Sequence, residues 1–281
     1  MSLSFSIFYC FAMSASVRDT TSALWLAIRE RASQSALTEP MLASFLHATI
    51  LNHDCLEDSI SYHLAGKLSA STLSAMQMRE IMQEAMRQDG TILEAICADI
   101  RAVQERDPAV KCCLIPLLFL KGVHALTAYR FAHWLWKQGR ELLAVYLQNR
   151  ISEEFGVDIH PAARIGRGIL MDHATAIVIG ETAVIEDDVS LLHEVTLGGT
   201  GKATGDRHPK VRRGVLIGAG AKILGNVEIG EGAKVGAGSV VLKSVPAHCT
   251  VAGVPAVIVG RPVSNLPALD MDHALNLGGS I

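Results

Sequence analysis

His173, in the string Met171-Asp172-His173-Ala174-Thr175, is the side chain here best suited to accept a proton near neutral pH, as a general base must. Alone, a surface histidine has no task. The sequence surrounds this one with what a base needs: Asp158 and Asp172 as carboxylates to orient an imidazole, and Arg207 and His208 as cations for an anionic substrate.

Such groups act only on a rigid support, and the second half of the chain supplies a pattern for one. Ile159, Ile165, Met171, Ile177, Ala183, Val189 and Val195 recur at intervals of six, and so do Val211, Ile217, Ile223, Ile229, Val235 and Val241. No helix has that period, and strand alternation does not place small residues at fixed offsets. A hexapeptide β-helix does both: the aliphatic residue points into a triangular prism, small residues turn its corners, and three units close a coil of eighteen. On that template His173, Leu191, Ala219 and Ala237 share one side. Gly218-Ala219-Gly220 and Gly236-Ala237-Gly238 then form a strip nearly free of side chains, where an extended pantetheine arm can lie against backbone with its end toward His173. Ten residues beyond the regular count, Gly201 to Lys210, project between the two trains as a polar, basic loop carrying Arg207 and His208. The template also sets a difficulty. It puts Asp158 three positions along the strand and one coil below His173, about 11 Å between backbones. Either the first coil departs from the template or the carboxylate comes from another subunit.

Upstream, residues from about Ser22 to Glu154 read as helices. Met78 to Met86 and Ile92 to Ile100 carry apolar stripes at three- and four-residue spacing, Gly90 and Asp107-Pro108 act as stops, and Gly139 separates Val123–Gln138 from Glu141–Phe155. The Met, His and Trp side chains on these faces are read as core. The architecture expected is α+β. An N-terminal extension (1–20) leads to an all-helical domain (21–155), a parallel β-helix (156–262) and a flexible C-terminal tail (263–281).

The 281 residues are 49% hydrophobic with a net charge of −3, which argues for a globular core and against a nucleic-acid or membrane-surface binder. Cys10, Cys55, Cys97, Cys112, Cys113 and Cys249 are scattered, without a C-x-x-C pair, so a reducing cytoplasm is expected and no disulfide framework. Ser4 to Ala12 is apolar but lacks the preceding Lys or Arg of a secretory signal, and Met13 is an alternative start.

At specific strings the sequence resembles the bacterial serine acetyltransferase family: Glu39-Pro40-Met41-Leu42-Ala43-Ser44-Phe45, Arg106-Asp107-Pro108-Ala109-Val110, Val157-Asp158-Ile159-His160-Pro161-Ala162-Ala163, Asp172-His173-Ala174-Thr175, Val195 to Lys202 and Gly205 to Lys210. The likeness spans Glu39 to Gly260, in both halves of the chain. It implies a left-handed β-helix, trimers formed along the prisms, hexamers formed through the helical domains, and active sites between neighbouring prisms. It implies His173 as general base, Asp158 as its orienting carboxylate, and Asp107, Asp172, Arg207 and His208 as the serine-binding set. The cosubstrate implied is acetyl-CoA, without a metal, held by Gly199, Thr200, Lys202, Lys234, Ala219 and Ala237. The resemblance further implies the first step of cysteine biosynthesis, inhibition by L-cysteine at the serine site, and docking of Ile281 into O-acetylserine sulfhydrylase. Val257 departs from the family, whose members commonly carry a basic residue there, and the stretch to Thr38 is less similar. Three other readings compete. One is an acetyltransferase for a sugar or antibiotic hydroxyl. Another is a γ-type carbonic anhydrase holding zinc with histidines drawn from His160, His173, His193 and His208. The third is a non-catalytic scaffold acting on the sulfhydrylase through its tail.

Overall fold

The computed structural model describes residues 15–201 and 204–275, with side chains from residue 20 onward. The apolar run 4–12, Lys202 and the tail end with Ile281 lie outside the described residues. The chain forms two compact units, Met1–Cys97 and Ala98–Ile281.

The first unit is helical. It contains α1 (Ala15–Thr38), α2 (Pro40–Leu46) followed by a π-helical turn (His47–Leu51), α3 (Leu56–Leu68), α4 (Ala75–Gln88) and the start of α5 (Thr91–Arg106). Ile28, Ile60, Met78, Met82 and Ile96 are wholly buried, so the methionine-rich stripes are core as expected. Helix α4 starts where Ser74 and Gln77 make a reciprocal capping box.

The second unit opens with the rest of α5, then α6 (Leu114–Phe119), α7 (Lys121–Lys137) and α8 (Glu141–Phe155). These helices belong with the prism, so the compact boundary falls inside α5 and not at residue 155. The reason is a set of buried polar ties. Asp99 on α5 pairs with Arg130 on α7 at 2.6 Å and accepts from the Ile169 amide at 2.9 Å. Tyr129 donates to the Ala163 carbonyl at 2.5 Å.

The prism has five coils. The first is β1 (Val157–Ile159), β2 (Arg164–Ile165) and β3 (Leu170–Asp172); the second is β4 (Ile177–Ile179), β5 (Val184–Ile185) and β6 (Ser190–Leu192). The third is β7 (Thr196–Gly198), β8 (Lys210–Val211) and β9 (Leu216–Ile217); the fourth is β10 (Lys222–Leu224), β11 (Glu228–Ile229) and β12 (Lys234–Val235). The fifth comprises β13 (Val240–Val241), a bridge at Val245 and β14 (Thr250–Gly253), closed by antiparallel β15 (Ala256–Gly260). Strands stack in parallel into three faces, β1-β4-β7-β10-β13, β2-β5-β8-β11 and β3-β6-β9-β12-β14, the last extended by the antiparallel β15.

The register corrects the eighteen-residue template. Val157 pairs with Ile177 and Leu170 with Ser190, twenty residues on, whereas Val178 pairs with Thr196, eighteen on. The two extra residues lie in the corner 173–176. Each six-residue unit points two side chains inward, two positions apart, so a two-residue slip leaves the apolar train unbroken while changing its phase. Ile165 and Ile185, or Ile177 and Val195, are the true equivalents. Similarly Val184 pairs with Lys210, twenty-six on, so the loop exceeds the regular count by eight residues, not ten.

The tail boundary also moves. Residues 266–274 dock on the third face: Ala268 is wholly buried and its carbonyl accepts from Ser190, while helix α9 (Pro267–Asp270) packs near Gly214.

Candidate functional site

His173 sits in the enlarged corner between the third and first faces. His173, Ala174 and Ala176 all hold positive φ (55°, 60°, 59°), a conformation costly for residues with a Cβ and often stored at functional sites. Neighbours hold the turn. Ala176 donates to the Gly156 carbonyl at 2.7 Å, Glu194 to Thr175 at 2.7 Å, and Lys121 Nζ to Thr175 Oγ1 at 2.5 Å. Gly122 must be glycine, because a Cβ there would lie 2.2 Å from the Met171 carbonyl oxygen. The result is an outward imidazole, 72% exposed, with Asp172 Oδ2 3.7 Å from its Nε2.

The phase slip changes the column above it. His193 follows β6 as His173 follows β3, and the two rings meet edge to face with centroids 5.6 Å apart. Leu191, expected in this column, instead pairs with Met171 and is buried. Ala219 and Ala237 do continue the column: the Gly220 amide donates to the His193 carbonyl and the Gly238 amide to Ala219. Gly218 lets the coils close up, since a Cβ would come within 2.7 Å of the Ala237 nitrogen.

Arg207 and His208 lie at the other edge of the first face. Thr182 Oγ1 accepts from the Arg207 amide (3.0 Å) and the His208 amide (3.1 Å), so its own proton goes to His208 Nδ1, 2.8 Å away. That places the His208 proton on Nε2. Gly180 floors the ring; a Cβ there would lie 2.1 Å from it. Arg207 meets Glu181 Oε2 at 2.5 Å, and this hydrogen bond holds the Glu181 carboxyl below its ordinary range. Burial, then the Arg207 charge, pushes the His208 pKa down. Protonation therefore favours the unfolded chain, and the anchoring of this loop is complete above the ordinary histidine value and is lost as pH falls through the lowered one. An NMR titration is expected to give His208 a midpoint below about 6.5; a midpoint above it would contradict the enclosed, neutral ring.

The structure thus divides the expected site residues. His173, Asp172, Ala219 and Ala237 share one edge of the first face. Arg207, His208, Gly199 and Thr200 share the other, with His160. Asp158 stands on the face between, where its Oδ1 accepts from Gln148 Nε2 at 2.7 Å; among the described residues no hydrogen bond or ion pair joins it to His173. Asp107 caps its own loop by accepting from the Ala109 amide at 2.9 Å. Lys234 is buried on the third face, where Nζ donates to the Asp272 and Ala274 carbonyls at 2.8 and 2.6 Å. The four histidines fall as two pairs on separate corners, and among the described residues no three His, Cys, Asp or Glu side chains converge as metal ligands. Also among the described residues, no helix is long and apolar enough to cross a membrane. Sequence reasoning offered His193 only as a possible zinc ligand and not on this column, and missed Glu181, Thr182 and Gln148. The place of His193 was within reach, since the aliphatic pairs Ile177/Ile179 and Val189/Leu191 betray the phase slip.

A hexapeptide prism with an exposed imidazole at the end of a side-chain-poor column defines the class of hexapeptide acyltransferases. The bacterial transferase hexapeptide model matches residues 208–243, and the model for the serine acetyltransferase N-terminal region matches residues 24–128. A serine acetyltransferase of Salmonella typhimurium is 60% identical over 90% of this chain and 93% of its own length. The chain belongs to the serine acetyltransferase family. Its fold superposes on a serine acetyltransferase solved in complex with cysteine (TM-score 0.89, 56% identity, 90% of this chain and 99% of that one). It also superposes on the Brucella abortus enzyme in complex with coenzyme A (TM-score 0.85, 52% identity, 87% and 98%).

Proposed function

We infer that this protein transfers the acetyl group of acetyl-CoA to the hydroxyl of L-serine, giving O-acetyl-L-serine and CoA, the first step of cysteine biosynthesis. The observation that carries the reading is the exposed His173 imidazole at the end of the His193–Ala219–Ala237 column, in a chain so close to serine acetyltransferases. His173 removes the hydroxyl proton as the serine oxygen attacks the thioester carbon. The imidazolium then returns that proton to the CoA thiolate as the carbon–sulfur bond breaks, without an acyl-enzyme.

Serine must meet His173 and a cation for its carboxylate together. Arg207 and His173 lie at opposite edges of one face, and the backbone from Ala176 to Gly180 alone runs about 13 Å at ordinary strand rise. No serine spans that. Two prisms set side by side solve the problem, the His173 edge of one meeting the Arg207 loop of the next. This supports a trimer with three such junctions, in which Glu181 yields Arg207 to the substrate carboxylate and Asp107 and Asp172 face its ammonium. Pairing of trimers into hexamers, inhibition by L-cysteine at the serine site and docking of Ile281 into O-acetylserine sulfhydrylase belong to the same proposal. The cysteine complex of a relative supports the second of these.

The test is thiol release from acetyl-CoA with L-serine, homoserine, a galactoside and chloramphenicol in parallel. Turnover with serine well above the rest is expected; preference for a sugar or antibiotic hydroxyl would overturn the assignment.

A further inference from the structure

We propose that Arg106 is a positioning residue for serine binding: its buried guanidinium pins the end of α5 to the third face of the prism, so that Asp107, the next residue, is held where the substrate ammonium arrives. This rests on the reading of Asp107 as a serine ligand given above and adds the device that sets its place.

Arg106 is unusual as a buried charge. Its side chain is 4% exposed, yet its hydrogen bonds are long, from Nη1 to Ser190 Oγ at 3.2 Å and from Nη2 to Asp188 Oδ1 at 3.4 Å. Its Nε is enclosed and has no partner among the described residues. Asp188 is shared with Arg213, which donates to the other carboxylate oxygen at 3.0 and 3.1 Å. A charge so enclosed and so weakly paired costs more than it stabilises, and an apolar side chain of similar length is expected to pack there without loss. Stability therefore does not account for the residue.

The placement does. Asp99 and Arg106 are seven residues apart, two turns of α5 and about 10 Å along its axis, so both lie on the helix face toward the prism. Asp99 is the first pin, holding Arg130 and the Ile169 amide, and Arg106 is the second, reaching Asp188 and Ser190. A helix held at one point pivots about it; held at two, it does not. Asp107 lies directly beyond the second pin and is continuous with the helix, its amide donating to the Val103 carbonyl at 2.9 Å. The anchor is itself fixed. Ser190 is wholly buried at the start of β6, the strand that runs on into the edge carrying His173, and its hydroxyl donates to the Ala268 carbonyl at 2.8 Å, which leaves the oxygen to accept from Arg106.

Arg106→Met removes the second pin and strands nothing, because Asp188 keeps Arg213 and Ser190 keeps the Ala268 carbonyl. The thermal midpoint is expected to stay at or above that of the wild type, while KM for L-serine rises by about 10- to 100-fold, the range for a hydrogen-bonded charge put out of place. At saturating serine kcat is expected to be largely kept, and KM for acetyl-CoA unchanged. Arg106→Lys, which keeps the cation, is expected to recover part of the serine affinity. A cycle with Asp107→Asn asks whether Arg106 acts through Asp107. In a chain already carrying Asp107→Asn, Arg106→Met is expected to raise the serine KM no further; two effects that multiply would overturn the inference. So would a variant that fails to fold, since the charge would then be serving stability. If Asp107→Asn raises the serine KM while Arg106→Met leaves it at the wild-type value, only this inference fails. If Asp107→Asn leaves it unchanged, the reading of Asp107 as a serine ligand fails.

Discussion

His173→Ala is expected to lower kcat for serine acetylation by about 10²- to 10⁴-fold, the range a positioned general base contributes. The loss should appear in kcat, with the KM for acetyl-CoA little changed, because the Ala219–Ala237 column is untouched. Stability should hardly move. The side chain is 72% exposed, and the backbone strain at φ 55° is the same for alanine as for histidine. A folded variant with near-normal turnover would exclude the imidazole from proton transfer.

The largest stability effect is expected at Arg130. Its guanidinium lies against Asp99 at 2.6 and 3.0 Å and donates to the Gly166 carbonyl at 2.7 Å, while Asp99 also accepts from the Ile169 amide. Both side chains are buried, at 8% and 1% exposure. Burial alone pushes the Asp99 carboxyl upward, and Arg130 is the main force opposing it. Arg130→Ala would leave that carboxylate enclosed without its partner, at a cost of about 3–5 kcal/mol, a large part of the 5–15 kcal/mol typical of a whole domain. Replacing both residues together, as Asp99→Leu with Arg130→Met, removes the stranded charge and should recover much of the loss. Urea denaturation of the single and double variants checks this. A single variant within about 1 kcal/mol of wild type would mean that the pair is worth no more than an exposed one. The pair ties α5 and α7 to the corner 165–169, and Asp107 follows at the end of α5.

The prism was legible in the sequence because its apolar residues obey a period no other fold has. Its exact phase was not, because two inward positions per unit let the train run on through the insertion at 173–176. That insertion, invisible to a count of six, is what turns His173 outward and sets His193 beside it. The Gly201–Lys210 loop announced itself by composition, yet its anchors Glu181 and Thr182 come from the preceding coil, twenty-six residues away, where nothing local marks them. Lys234 likewise has partners that no local pattern marks. The resemblance implies a cosubstrate contact there, and the fold gives its ammonium the Asp272 and Ala274 carbonyls. The helical half was read well by periodicity, but the assignment of α6–α8 to the prism depends on the buried contacts of Asp99, Tyr129 and Arg130, which no spacing rule foretells.

In the proposed trimer a working site needs the His173 edge of one prism and the Arg207 loop of another. Co-expressing the inactive variants His173→Ala and Arg207→Ala in equal amounts tests it most directly. Random trimers of the two place both intact halves together at about one junction in four, so activity is expected to return to about a quarter of the wild-type level. Activity no greater than that of the two variants assayed separately would mean that each chain carries its own complete site, and would rule out the shared junction.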